Sequence, residues 1–107
     1  MTSTPARRVQ SFAEITQPGD YFGPTAEYTG GVPAVFFLKP NARDEGVPAH
    51  VRSVQHVCSP PHTFRECPDG SLEIRASISN RLAGDTDGHS DDGWHGYLDE
   101  GNTWRQV

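Results

Sequence analysis

The chain of 107 residues is short of what most function classes require. It has no excess of basic residues. Nine Lys and Arg stand against 14 Asp and Glu, for a net charge of −5. A general nucleic-acid binder needs a basic stripe to release counterions from phosphates, and the longest basic cluster here is Arg7-Arg8. No apolar run approaches the length of a membrane span. The first residues, MTSTPARRVQ, lack the apolar centre of a signal peptide, so a cytoplasmic protein is expected. There are only two cysteines. In a reducing compartment, free thiols or a metal are then favoured over a disulfide. The Gly-x-Ser-x-Gly elbow, the phosphate loop and His-Glu-x-x-His are all missing, so no enzyme class is indicated. Large apolar residues are scarce, since Leu, Ile, Val and Phe together number 20, at the edge of the disordered range. The net charge is nevertheless too small to force disorder, and the apolar residues are gathered in strand-like runs. The length suits one domain with one modest core.

Glycine and proline are plentiful. Eleven Gly and nine Pro punctuate the chain at short intervals, which favours many short strands over helices. Residues 1–8 read as a flexible N-terminus and residues 9–107 as a single β-rich domain. "SFAEI" has the Ser-x-x-Glu spacing of a helix-capping box, with Val9, Phe12 and Ala13 on one face. Pro18-Gly19 would stop such a helix after a turn or two. "DYF" is a short strand and "TGGVP" a turn. "AVFFLK" (residues 34–39) is the most apolar run, suited to a buried central strand. "HVRSVQHV" (residues 50–57) alternates weakly and reads as a solvated or edge strand. "SLEIRASI" (residues 71–78) alternates cleanly. Leu72, Ile74, Ala76 and Ile78 point one way, and Ser71, Glu73, Arg75 and Ser77 the other, as in a half-buried antiparallel strand. "NRLAGDTDGHSDDG" is a polar loop. "WHGYL", the turn "DEGN" and "TWRQV" form a terminal hairpin. The expected fold is all-β: a small, single-domain antiparallel sandwich or open barrel with a C-terminal hairpin and at most one short N-terminal helix.

Two constellations carry chemistry. In "CSPPHTFREC", Cys58, His62 and Cys67 are zinc-ligand types, and His95 is a candidate fourth. The spacing C-x3-H-x4-C departs from the C-x2-C turns of zinc knuckles, and Pro60-Pro61 removes amides that would bond the sulfurs. No metal is therefore expected, with zinc on these four residues as the alternative. "SPPHTF" reads instead as a stiff platform that projects His62 from a base anchored by Phe64. The second constellation is the polar face shared by the two clearest strands. Glu73, Arg75 and Ser77 lie on one, and His95, Tyr97 and Asp99 on the other. If the strands pair antiparallel, the two sets line one side of the sheet. The guanidinium offers a planar fork for phosphate or carboxylate, the imidazole and phenol can orient a planar ligand, and His62 and Arg65 close one end. The ligand-binding candidates are thus His62, Arg65, Glu73, Arg75, His95 and Tyr97. Gly96, between His95 and Tyr97, marks a bulge or a close backbone approach. "DTDGHSDDG" has the alternating acids of a calcium loop without its terminal Glu.

The stretches "PGDYF", "FFLKPN", "SPPHTF", "CPDGSLEIRASI" and "WHGYLDEGNTW" together resemble a group of small, uncharacterised proteins encoded by tailed bacteriophages and prophages. In that group a strand ending in Ser-Ile precedes a loop and a closing Trp/Cys-His-x-aromatic hairpin. The resemblance runs from about Pro18 to the C-terminus. It implies an accessory role in the host cytoplasm, with no activity to carry over. Three readings follow. The first is a non-enzymatic binding protein that takes a small anionic, nucleotide-like ligand or a host protein, in the service of countering host defence. The second is a metalloprotein or hydrolase built on Cys58, His62, Cys67 and His95. The third is a structural or assembly protein that forms homodimers through strand edges.

Overall fold

The computed structural model describes residues 2–40, 54–79 and 94–107. Through them run strands β1 (Thr2–Pro5), β2 (Arg7–Arg8), β3 (Asp20–Thr25), β4 (Ala34–Phe37), β5 (Gln55–Cys58), β6 (Thr63–Glu66), β7 (Leu72–Ser79), β8 (His95–Asp99) and β9 (Thr103–Gln106), with one 3-10 turn at Phe12–Glu14. The strands form a five-stranded sheet in the order β1-β9-β8-β7-β6 and a four-stranded sheet in the order β2-β3-β4-β5. Neighbours are antiparallel except β2 and β3, which run parallel.

The sheets share one core. The four-stranded sheet contributes Tyr21, Val35, Phe37 and Val57. The five-stranded sheet contributes Leu72, Ile74, Ile78, Leu98 and Trp104, with Trp94 at the start of β8. Each large side chain taken fully out of water stabilises by about 1.5–3 kcal/mol. The domain is thus an all-β sandwich, and the open-barrel alternative is set aside. Its centre is aromatic. The Trp104 ring lies 5.2 Å from Phe37 and 5.3 Å from Trp94, and its indole N–H donates to the Gly19 carbonyl at 2.8 Å. The Tyr21 hydroxyl donates to Asn102 and accepts from the Leu72 N–H, so a buried phenol ties the last hairpin to the opposite sheet. Burial raises the pKa of that phenol.

"AVFFLK" is apolar throughout because β4 is covered on both faces. Val35 and Phe37 face the shared core, while Ala34, Phe36 and Leu38 meet a second cluster with Val9 and Ile15 on the outer face of the four-stranded sheet. "WHGYLDEGNTWRQV" forms the hairpin its sequence announces. Gly101 and Asn102 take φ of 90° and 54°, the left-handed conformations open to Gly and Asn. Gly96 marks a close approach: a Cβ there would stand 2.7 Å from the Trp94 ring and nearer still to the Arg105 carbonyl. Phe64 packs partly buried against the core as expected.

Several expectations are corrected. Residues 2–8 are not a loose tail. β1 pairs along β9 from Thr2↔Gln106 to Pro5↔Thr103, and β2 pairs with β3, so the backbone N–H and C=O groups of these residues are satisfied by ladders rather than by water. The "SFAEI" helix shrinks to the 3-10 turn. Ser11 makes no side-chain cap, and the Glu14 carboxylate instead accepts the Gln10 N–H. Val9 and Ile15 are buried there, while Phe12 stays exposed. Ala76 is exposed rather than inward, because the five residues from Ile74 to Ile78 on β7 oppose only the three from Leu98 to Gly96 on β8. The expected strand over residues 50–57 is seen from Gln55 on, where β5 ends the four-stranded sheet. Val54 lies before the strand, packed against the outer cluster, and residues 50–53 and the polar loop over residues 80–93 lie outside the described residues. No helix among the described residues is long and apolar enough to cross a membrane.

Candidate functional site

The polar residues of "SLEIRASI" and "WHGYLDE" do meet on one surface, the outer face of the five-stranded sheet. Alternation decides this. Leu72, Ile74 and Leu98 face the core, so Glu73, Arg75, Tyr97 and Asp99 face out. The register sets their neighbours. Arg65 stands opposite Glu73, Thr63 opposite Arg75, and Tyr97 opposite Arg105.

The charges form a continuous ladder. Arg65 bonds Glu73 at 3.0 Å and Glu100 at 3.2 Å. Arg75 bonds Asp99 at 2.7 Å, reaches Glu73 at 3.5 Å and donates to the Ile74 and Leu98 carbonyls. Arg105 bonds Asp99 at 2.7 Å. Tyr97 lies within this ladder, with the Arg75 guanidinium 4.9 Å and the Arg105 guanidinium 4.4 Å from its ring centre, a cation–π pair from each flanking strand. Partial burial pushes the Asp99 carboxyl up, but the hydrogen bonds from Arg105 and Arg75 outweigh it and hold the group below its usual range. The Arg65 hydrogen bond holds Glu73 low in the same way. Three guanidiniums and three carboxylates thus neutralise one another. An incoming phosphate or carboxylate would have to displace Asp99 from both Arg75 and Arg105 before it met a free fork.

The two imidazoles sit at one end of the ladder, where both reach Ser77. His62 Nε2 is 3.2 Å from the Ser77 carbonyl and His95 Nε2 is 3.1 Å from the Ser77 hydroxyl. A carbonyl only accepts, so His62 Nε2–H is the donor in this pair. Its Nδ1 is buried with no hydrogen-bond partner among the described residues. The double proline stiffens residues 59–62, which carry the chain from β5 in one sheet to β6 in the other. His62 therefore closes the β7 edge beyond the point where β6 stops.

The alternative ligand set does not assemble. Cys58, His62, Cys67 and His95 form no group, because Cys58 ends β5 in one sheet while Cys67 follows β6 in the other. Both thiols are free of a disulfide. Among the described residues, the one set of three ligand types within 4.8 Å is Cys67, Asp69 and Glu100. Its carboxylates are engaged elsewhere, Asp69 with the Ser71 N–H and hydroxyl and Glu100 with Arg65. A depression of about 260 Å³ lies away from the ladder, lined by Arg8, Val9, Gln10, Phe22, Gly23, Pro24 and Gly70. Arg8 is committed there. Its terminal N–H groups bond Glu66 at 2.7 and 2.8 Å and the Gly23 and Gly70 carbonyls, which braces one sheet against the other.

Arg105 belongs to the ladder and was missed in the sequence. Trp104 faces inward, so alternation alone places Arg105 outward beside Tyr97. Asp99 was visible on the right face, but its role as the shared acceptor of two arginines was not. Comparison of the chain with protein-family models, with curated proteins and with solved structures finds no match. Fold and site therefore define the class by themselves: a small two-sheet β-sandwich whose outer face carries a self-neutralised arginine–tyrosine–carboxylate ladder.

Proposed function

We propose that the chain is a non-enzymatic binding protein that docks a partner protein on the outer face of its five-stranded sheet, around Tyr97. The observation that carries this reading is the Tyr97 ring held between Arg75 and Arg105, both anchored on Asp99. Tyrosine and arginine supply much of the energy at protein interfaces. Side chains already fixed by ion pairs lose little freedom when a partner arrives. A face of alternating sign sets the orientation of a partner more than its raw affinity. A protein partner fits this surface better than a small anion, because the guanidinium forks are already occupied by carboxylates. The resemblance of the sequence to small phage proteins favours a partner in the bacterial host, in an accessory role such as blunting host defence.

The test is retention from bacterial lysate on immobilised protein. Wild type is expected to hold a discrete polypeptide that Tyr97→Ala and Arg105→Glu lose by about tenfold or more. Equal retention by all three overturns the reading. A parallel thermal-shift screen of nucleotides distinguishes the small-ligand version, since a shift abolished in Arg75→Ala would transfer the site to that class.

A further inference from the structure

The four-stranded sheet carries a second surface of opposite character. The rings of Phe12, Tyr28 and Phe36 form a closed triangle, with centres 5.7, 5.4 and 5.6 Å apart, and His56 lies 5.6 Å from Phe36. Among the described residues the exposed large apolar side chains are Phe12, Tyr28, Val32 and Val107, at 40%, 57%, 41% and 60%. Two of the four belong to this triangle, and Val32 lies in the same β3–β4 loop as Tyr28. Single exposed apolar residues are ordinary, but clustered ones mark an interaction site. Rings at this spacing touch one another, so nothing inserts between them. A ligand must lie across the top, which suits an extended segment rather than a small molecule.

The charges next to the patch residues in the chain favour a cationic occupant. Glu14 follows Phe12 in the 3-10 turn, and Glu27 adjoins Tyr28. Both are exposed, and neither forms an ion pair among the described residues. The whole chain adds a net charge of −5. A second copy is a poor fit, because it carries the same net charge of −5 and so lacks the opposite charge that would complement this surface. We infer that the Phe12–Tyr28–Phe36 surface docks a segment of another protein that presents an apolar or aromatic side chain flanked by Lys or Arg. Its apolar side chain covers the exposed faces of Phe12 and Tyr28, and its cations meet Glu14 and Glu27. This inference is independent of the charged ladder on the opposite sheet.

The probe is a short fluorescein-labelled peptide in which Trp and Leu alternate with Lys and Arg, read by fluorescence anisotropy. A control peptide has Glu in place of every cation. Wild type is expected to bind the basic probe with an affinity that falls as salt rises, and to ignore the control. Phe12→Ser combined with Tyr28→Ser should weaken binding by about tenfold or more, as should Glu14→Lys combined with Glu27→Lys. Gln106→Ala, exposed on the other sheet, should leave binding unchanged. Because Phe12 and Tyr28 are exposed, the fold survives their replacement, which far-UV circular dichroism checks. Equal binding by the double variants overturns the inference. So does a failure to bind the probe accompanied by a dimer, seen by light scattering, that dissolves in the Phe12/Tyr28 variant, which would assign the patch to a second copy.

Discussion

Asp20 is the most constrained charge among the described residues. It is 1% exposed, and its carboxylate accepts from Arg7 Nε at 2.9 Å, Arg7 Nη2 at 2.6 Å, and the Thr16 and Gln17 N–H groups at 3.0 Å each. Burial alone would raise its pKa. The hydrogen bonds from Arg7 and the two amides outweigh burial and hold it below the usual carboxylate range. A pKa lowered by folding gives stability that is complete above the unfolded value of about 3.9 and is lost as pH falls through the folded value. Wild type should therefore hold its melting temperature near neutrality and lose it steeply below about pH 4. Asp20→Asn should be roughly 1–3 kcal/mol less stable at neutral pH and show a shallower acid slope. Asp99, Glu73, Glu66 and Asp69, also held low, retain the remainder of that slope. Thermal unfolding of the two proteins across pH decides the matter, and parallel curves would show that Asp20 is not the linked group.

Among elements, β1 changes the picture of the chain most. It covers β9 from Thr2 to Pro5, and at Ala6 the chain crosses to the other sheet, where β2 lies along β3. Ala6 packs against the shared core, and its N–H donates to the Asn102 carbonyl at 2.8 Å. A disordered tail could be removed at no cost. Deleting residues 2–5 is instead expected to remove on the order of 2–4 kcal/mol through the lost ladder. Deleting residues 2–8 should cost more, because the Arg7–Asp20 pair and the Arg8 brace go with it. Chemical denaturation midpoints measure both. An unchanged midpoint for the longer deletion would contradict the ladder.

At the scale of the whole molecule, the two sheets have one core between them. Trp104 on the five-stranded sheet touches Phe37 on the other, bonds the Gly19 carbonyl and meets Trp94. Neither sheet can keep its apolar face dry alone, so the sandwich should unfold as one unit. Tryptophan fluorescence, which reports the junction, and far-UV circular dichroism, which reports the strands, are expected to give one midpoint. Two midpoints would mean that the sheets are separate folding units. The faces turned away from the core divide by chemistry, a charged ladder on one sheet and an aromatic patch on the other.

Alternation made much of this legible in the sequence. The inward set Leu72, Ile74, Ile78, Trp94, Gly96 and Leu98 fixed β7, β8 and the face that carries Glu73, Arg75 and Tyr97, because side chains on a strand alternate by geometry. The continuous run in "AVFFLK" marked a strand covered on both sides for the same reason. Tertiary structure alone decided what has no local signal. Nothing in "TSTP" says that it will find a partner a hundred residues away, since a four-residue strand gains its stability from its neighbour rather than from its own composition. The outward turn of Ala76 follows from a register shift against β8. The closing of each guanidinium on a carboxylate, and the gathering of Phe12, Tyr28 and Phe36 from a turn, a loop and a strand, depend on distances that exist only once the sheets have folded together.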